Sequence, residues 1–225
     1  MKEIQETKIF AKGICFSKLF IIFIIGCVIG TYYEQIFTLI HYFIKDGSVV
    51  WQLRRGVIYW PLSPIYGAGL VLITYLLGRK KRPWYLTLLY AALIGGVFEY
   101  GISFLQETFV GTRSWNYSNL PLNINGRTTV HFMLFWGICG YIYIDFIYPF
   151  ISNLIEKIPY KIGRIVLIIT VVLVGLDMLV SWSALIRQNL RRKGYEPITA
   201  VGKFYDDYYT DDYLKKHFPN MKKSK

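Results

Sequence analysis

The chain has 225 residues, of which 54% are hydrophobic and only 18% charged, with a net charge of +12 at pH 7. So much apolar character carrying so little charge excludes an ordinary soluble domain. The basic residues flank apolar blocks rather than lining one face, which argues against nucleic acid as a partner.

A hydrocarbon core of roughly 30 Å takes about 20 apolar residues in a helix. Residues 1–18 read as a cytoplasmic, lysine-bearing N-terminal segment. The apolar run from Leu19 to Ile44 is too long for a signal-peptide core, and no A-x-A site follows it. It reads as the first transmembrane helix, about 17–44, and further spans are expected at about 60–78, 84–106, 129–150 and 164–186. The expected fold is therefore an all-α, polytopic bundle of about five helices over 19–186, with the second helix the shortest. Residues 187–225 form a polar tail in which Asp206, Asp207, Asp211 and Asp212 interleave with Tyr205, Tyr208, Tyr209 and Tyr213. Within it, Tyr213-Leu214 to His217-Phe218-Pro219 reads as a short helix stopped by the proline.

Orientation follows from the basic residues. Lys2, Lys8, Lys12, Lys18, Arg79, Lys80, Lys81, Arg82, Lys157, Lys161 and Arg164 fall on one side, against Lys45, Arg54, Arg55, Arg113 and Arg127 on the other. That asymmetry puts the N-terminus inside. Five crossings then leave the tail outside, where Arg187, Arg191, Arg192, Lys193 and Lys203 nearly cancel the difference. A long tail translocates largely regardless of its charge; a re-entrant segment would also relieve the conflict.

The first and third helices share a pattern. Gly26, Gly30, Glu34 and Thr38 recur every four residues, as do Ala91, Gly95, Glu99 and Ser103. Each series runs small, small, Glu, hydroxyl along one helical face, and small residues at that spacing admit a close neighbour. The stretches Gly56–Gly67 and Gly126–Gly137 also align, each a glycine, ten residues, then aromatic-Gly. The chain thus reads as a tandem two-helix unit followed by one added helix, the two units parallel to one another.

A carboxylate inside hydrocarbon is costly, so its default reading is functional or tightly paired. Glu34 and Glu99 each lie about 22 Å from the inner end of their helices, and Asp177 in the last helix is at a similar level. The fourth helix runs the other way, so Arg127 and His131 near its start face the same depth. The loop before it carries Trp115, Tyr117, Ser118, Asn123 and Asn125, which would cap the site from outside and supply hydrogen-bond donors. Arg127 is the natural bidentate partner for one glutamate. One reading is a buried ion-pair network that fixes helix register; the other is an outward-facing polar cavity, and four or five ionisable groups at one depth favour the cavity. Cys15, Cys27 and Cys139, with His41, His131 and His217, show no metal, haem or disulfide spacing, so no cofactor or metal is expected.

Several stretches resemble a known family. They are Gly30-Thr-Tyr-Tyr-Glu34, Pro61-Leu-Ser-Pro-Ile-Tyr-Gly67 and Phe98-Glu-Tyr-Gly-Ile-Ser103, then Arg113-Ser-Trp-Asn-Tyr-Ser118, Leu122-Asn-Ile-Asn-Gly-Arg127 and Phe135-Trp-Gly137. Together they resemble the bacterial membrane proteins called ABC transporter type IV permeases, the CmpB-like family, over about residues 30–150. Asn116 departs from the pattern, which has an acidic residue after the tryptophan. The resemblance implies a multi-pass protein of the bacterial cell membrane, permease-like, working with a separate ATPase subunit. The chain itself has no Walker A signature, and its expected inner loops are short for docking an ATPase. Two other functions fit the same residues. One is an intramembrane enzyme acting on a lipid or lipid-linked substrate, with a glutamate as base, His131 as acid or base and Arg127 as oxyanion clamp, although no nucleophile–base pair stands out. The other is a non-catalytic sensor or assembly factor that uses the loop or the tail.

Overall fold

The computed structural model describes residues 9–223. Its long helices are α1 (Phe16–Asp46), α3 (Trp84–Val110) and α6 (Tyr160–Arg192). A fourth span, Val130–Glu156, is built from α4 (Val130–Ile142), a π-helical turn (Tyr143–Ile147) and α5 (Tyr148–Glu156). These four are long and apolar enough to cross a membrane. Punctuation in the sequence explains most of their ends. Pro83 and Pro159 precede α3 and α6, where a missing N–H costs nothing, and Gly47 and Gly111 take the left-handed conformation that closes α1 and α3.

The second apolar segment is helical only over α2 (Pro64–Leu77). Fourteen residues give about 21 Å, short of the hydrocarbon thickness, and the chain before them is extended and buried. Val57, Ile58, Leu62 and Ser63 are all buried. The N–H of Ser63 donates to the carbonyl of Cys27 (3.1 Å), which lies about 16 Å along α1. The segment from Gly56 to Ser63 therefore re-enters the bundle. Non-helical backbone at such depth must find its partners within the protein, and here α6 supplies them. Ile58 N donates to Ser181 Oγ (2.8 Å), Tyr59 N to Asp177 Oδ1 (3.2 Å) and Trp60 N to Asp177 Oδ2 (3.0 Å).

The principal packings are α1 on α2 and α3 on α4, with α2 and α3 joining the two pairs. Glycines set both distances. A methyl group at Gly30 would lie 2.2 Å from the Tyr66 ring, and one at Gly95 would lie 2.4 Å from Trp136 Cβ. Gly67 faces Cys27 Sγ and Phe23 O; Gly137 faces Ala92 Cβ and Leu88 O. The same small-residue contacts thus occur at the aligned positions of the two pairs.

At the end bearing Arg79–Arg82, the buried ammonium of Lys18 is tied to Glu156 and to Ser152 Oγ (2.5 Å), and Glu156 also accepts from Gly13 N (3.1 Å). The other end holds the loops 47–63 and 111–129, and the tail folds onto it. Helices α7 (Ala200–Tyr208) and α8 (Asp211–His217) are capped by the hydroxyls of Thr199 and Thr210. Tyr209, Leu214 and Phe218 pack with Ile58, Ala184 and Leu185, and the Tyr59 and Tyr209 hydroxyls meet at 2.7 Å. The short strand β1 (Thr112–Arg113) pairs antiparallel with the chain's last described residues, β4 (Lys222–Lys223), while β2 (Asn123–Ile124) pairs with β3 (Thr128–Thr129) within the loop. The tail arginines that spoil the charge count are internally matched: Arg187 and Arg191 bind Asp206, and Arg191 also binds Asp211.

Candidate functional site

Glu34 sits on α1 beside the first turn of α2, where Tyr66 donates its hydroxyl to the carboxylate (2.7 Å). Gly30, one turn earlier on α1, makes room for that ring. One turn later, Thr38 Oγ1 accepts from Arg54 Nε (3.1 Å). Glu99 sits on α3 and is buried. Its two oxygens accept from the hydroxyls of Tyr117 (3.0 Å) and Thr128 (2.7 Å). One turn later, Ser103 Oγ accepts from Arg127 Nη1 (3.3 Å). Each half therefore places a carboxylate held by hydroxyl donors one turn below a second hydroxyl, which is held by an arginine from the following loop. The halves differ in one respect. At the position aligned with Tyr66 stands Trp136, which has no hydroxyl, and Tyr117 from the loop serves Glu99 instead.

The loop is built to deliver Tyr117. Its ring stacks on Phe132 with 4.6 Å between centroids, and its N–H donates to Gly126 O (2.8 Å). Trp115 Nε1 donates to Arg127 O (2.8 Å). Asn123 ties the loop internally through Ser118 O, Leu120 O and Gly126 N, and Asn125 donates to the Tyr100 hydroxyl (3.0 Å). Asn116 accepts from Ser118 N and Oγ, so its amide closes the turn. Burial pushes the Tyr117 phenol well above its ordinary value; the Glu99 charge adds to this, and that of Glu34 after it. Tyr117 thus keeps its proton and donates a hydrogen bond to Glu99.

The sequence-predicted residues separate into three places. Glu34 and Glu99 lie on neighbouring helix pairs, and each accepts from a tyrosine hydroxyl, of Tyr66 and Tyr117 respectively. Arg127 is buried over the rings of Tyr100 and Phe104, but its guanidinium pairs with Glu107, two turns beyond Glu99, and not with either expected glutamate. Glu107 also binds Arg113 (2.7 Å). Asp177, 4% exposed, spends both carboxylate oxygens on the re-entrant segment and on Ser181 Oγ (2.9 Å). His131 is exposed, and neither oxygen of Glu99 is held by it. Among the described residues, neither Glu34 nor Glu99 makes an ion pair, and no cluster of His, Cys, Asp and Glu has metal-binding geometry. A cavity of about 410 Å³ lies at the opposite end of the bundle, beside Lys18, Arg79 and Glu156.

Four contributors escape the sequence reading: Tyr66, Thr128, Arg54 and Glu107. Tyr66 carried a signal, since it falls within the aligned Gly56–Gly67 stretch. Glu107 carried one too, two turns from Glu99 on one face.

A family model described as "Putative ABC-transporter type IV" matches residues 21–182, a span that holds all four long helices in whole or in large part and every residue of both halves. No curated protein and no solved structure matches the chain.

Proposed function

Because the chain belongs to the ABC-transporter type IV family, we propose that it is a permease-like component of a transporter in the bacterial cell membrane, with its polar path between α1, α3 and α4. The observation that carries this reading is the way the two membrane carboxylates are held. A glutamate kept only to fix helix register would be matched to a cation, because an unmatched charge in hydrocarbon is expensive. Glu34 and Glu99 are matched to hydroxyls, while the nearby arginines are engaged one turn away. Hydroxyl donors can turn aside at low cost, which leaves carboxylate oxygens for a cationic or protonatable group in transit. The repeated contacts of the two helix pairs support a duplication in which each unit contributes one carboxylate. Since the chain carries no nucleotide-binding signature, energy from ATP would enter through a separate ATPase subunit.

The test uses the full chain in proteoliposomes and a panel of inorganic and small organic cations, with Glu34→Gln and Glu99→Gln as variants. Uptake of at least one cation, lost in both variants while thermal unfolding is unchanged, is the expected result. Unchanged uptake in both variants, or uptake lost only together with lowered thermal stability, overturns the reading in favour of a register role.

A further inference from the structure

After α6 the chain reverses at Gly194, whose φ of +85° suits only a glycine-like turn. Arg187 then donates to Tyr195 O (2.9 Å). Asp206 accepts from Arg187 (2.9 and 2.6 Å) and from Arg191 (2.7 Å), which lays α7 alongside the last turns of α6. Tyr205, Asp206 and Tyr209 consequently face the protein. The opposite stripe of α7, Val201, Phe204 and Tyr208, is exposed at 65, 47 and 67%, and Ile198, just before the helix, at 99%. Phe204 and Tyr208 also pack on each other, with 4.6 Å between ring centroids.

Four neighbouring apolar side chains left in water are unfavourable, and each would gain by burial. A charged inner face with an apolar outer stripe is the arrangement of a helix lying in the plane of a bilayer interface. Position selects that occupant over a protein. The Arg187 and Arg191 clamps hold α7 at the level where the apolar run of α6 gives way to charge. The outward residues of α6 below it, Leu179, Trp182 and Ile186, are themselves exposed apolar groups of a membrane span. The α7 stripe is held at the end of that span by the Arg187 and Arg191 pairs with Asp206, and aromatic residues at this level suit the headgroup region. We propose that α7 is an interfacial helix whose Val201–Phe204–Tyr208 stripe, with Ile198 just before the helix, is seated at the headgroup–acyl boundary of the bilayer, anchoring the tail to the lipid surface.

The experiment adds one tryptophan to the full-length protein in phosphatidylcholine nanodiscs, at Phe204→Trp or Val201→Trp on the stripe and at Lys203→Trp off it. The added fluorescence is followed against parent protein, with acrylamide as aqueous quencher and shallow dibrominated phosphatidylcholine as lipid quencher. The stripe tryptophans are expected to be at least about twofold less quenched by acrylamide than the Lys203→Trp reporter, and more quenched by the bromolipid. Equal acrylamide quenching at all three sites overturns the proposal. Protection from both quenchers at the stripe also overturns it, because that result assigns the surface to a protein contact. Two independent stripe positions keep the test decisive if one variant misfolds.

Discussion

Replacing Asp177 with Asn tests what that carboxylate does. In the wild-type chain its two oxygens receive Tyr59 N, Trp60 N and Ser181 Oγ. An asparagine offers one oxygen and turns an NH2 toward the remaining donor, so one backbone amide of the re-entrant segment loses its acceptor. A partly buried donor left unmatched costs about 1–3 kcal/mol. Global stability is a blunt reading of this, because the substitution also removes a charge from an apolar setting, an effect of opposite sign. Local hydrogen exchange is sharper. A cost of that size corresponds to roughly 5- to 150-fold faster exchange at Tyr59 and Trp60 if the segment opens locally, with the α3–α4 amides unaffected. Mass spectrometry of the peptide spanning 56–63 in nanodiscs reads it. Unchanged exchange in Asp177→Asn, accompanied by loss of cation uptake, would refute the reasoning and return Asp177 to the transport path.

Gly95→Ala should destabilise the α3–α4 pair by about 1–3 kcal/mol through overpacking on Trp136, whereas Gly101→Ala, with open space around it, should stabilise by up to about 1 kcal/mol; thermal unfolding in one detergent ranks the two. Arg127→Ala should cost about 3 kcal/mol, at the lower end for a broken buried pair because Arg113 still matches Glu107, and proteolysis of the loop 111–129 should quicken accordingly. Tail docking should be acid-sensitive. Hydrogen bonds from Arg187, then Arg191, hold the Asp206 carboxyl below its usual range; at Asp211 burial alone would raise the carboxyl, but bonds from Arg191 and Gln188 and the arginine charges together bring it lower. With folded values below the unfolded one of about 3.9, their contribution is complete above that pH and is lost as pH falls through the depressed values. Near-ultraviolet circular dichroism of the tyrosine cluster should hold from neutral pH to about 4 and fade only below it, unlike in an Asp206→Asn variant, where it is weak throughout.

The spans were legible because hydrocarbon imposes a length and a composition that little else imposes. Helix ends drifted outward, to Asp46, Val110, Glu156 and Arg192, since helices continue beyond the apolar run into the interface. The second apolar block misled because Val57, Ile58 and Leu62 are buried without being helical; hydropathy records burial, not backbone form. Glu34 and Glu99 stood out as costs, but their partners did not. Tyrosines abound at membrane interfaces, so composition alone could not single out Tyr66 and Tyr117 as carboxylate donors. Arg127 was assigned to the wrong carboxylate because depth was matched between helices, while its partner sits two turns farther along α3. The tail's fold was the least legible part, since Asp206 and Asp211 acquire meaning only when the chain has turned back onto Arg187 and Arg191.

The re-entrant segment also constrains the order of biosynthesis. The amides of Ile58, Tyr59 and Trp60 wait for acceptors that lie 117 to 123 positions downstream. A ribosome that has released α1 and α2 has made a hairpin whose re-entrant segment cannot yet be satisfied and whose second arm is too short to be inserted on its own merit. That hairpin must be sheltered, by the insertion machinery or by water at the membrane surface, until α6 arrives. The last helix to enter the bilayer is thus the one that lets the first unit finish folding, and chains truncated before Ser181 should be recognised as unfinished and degraded.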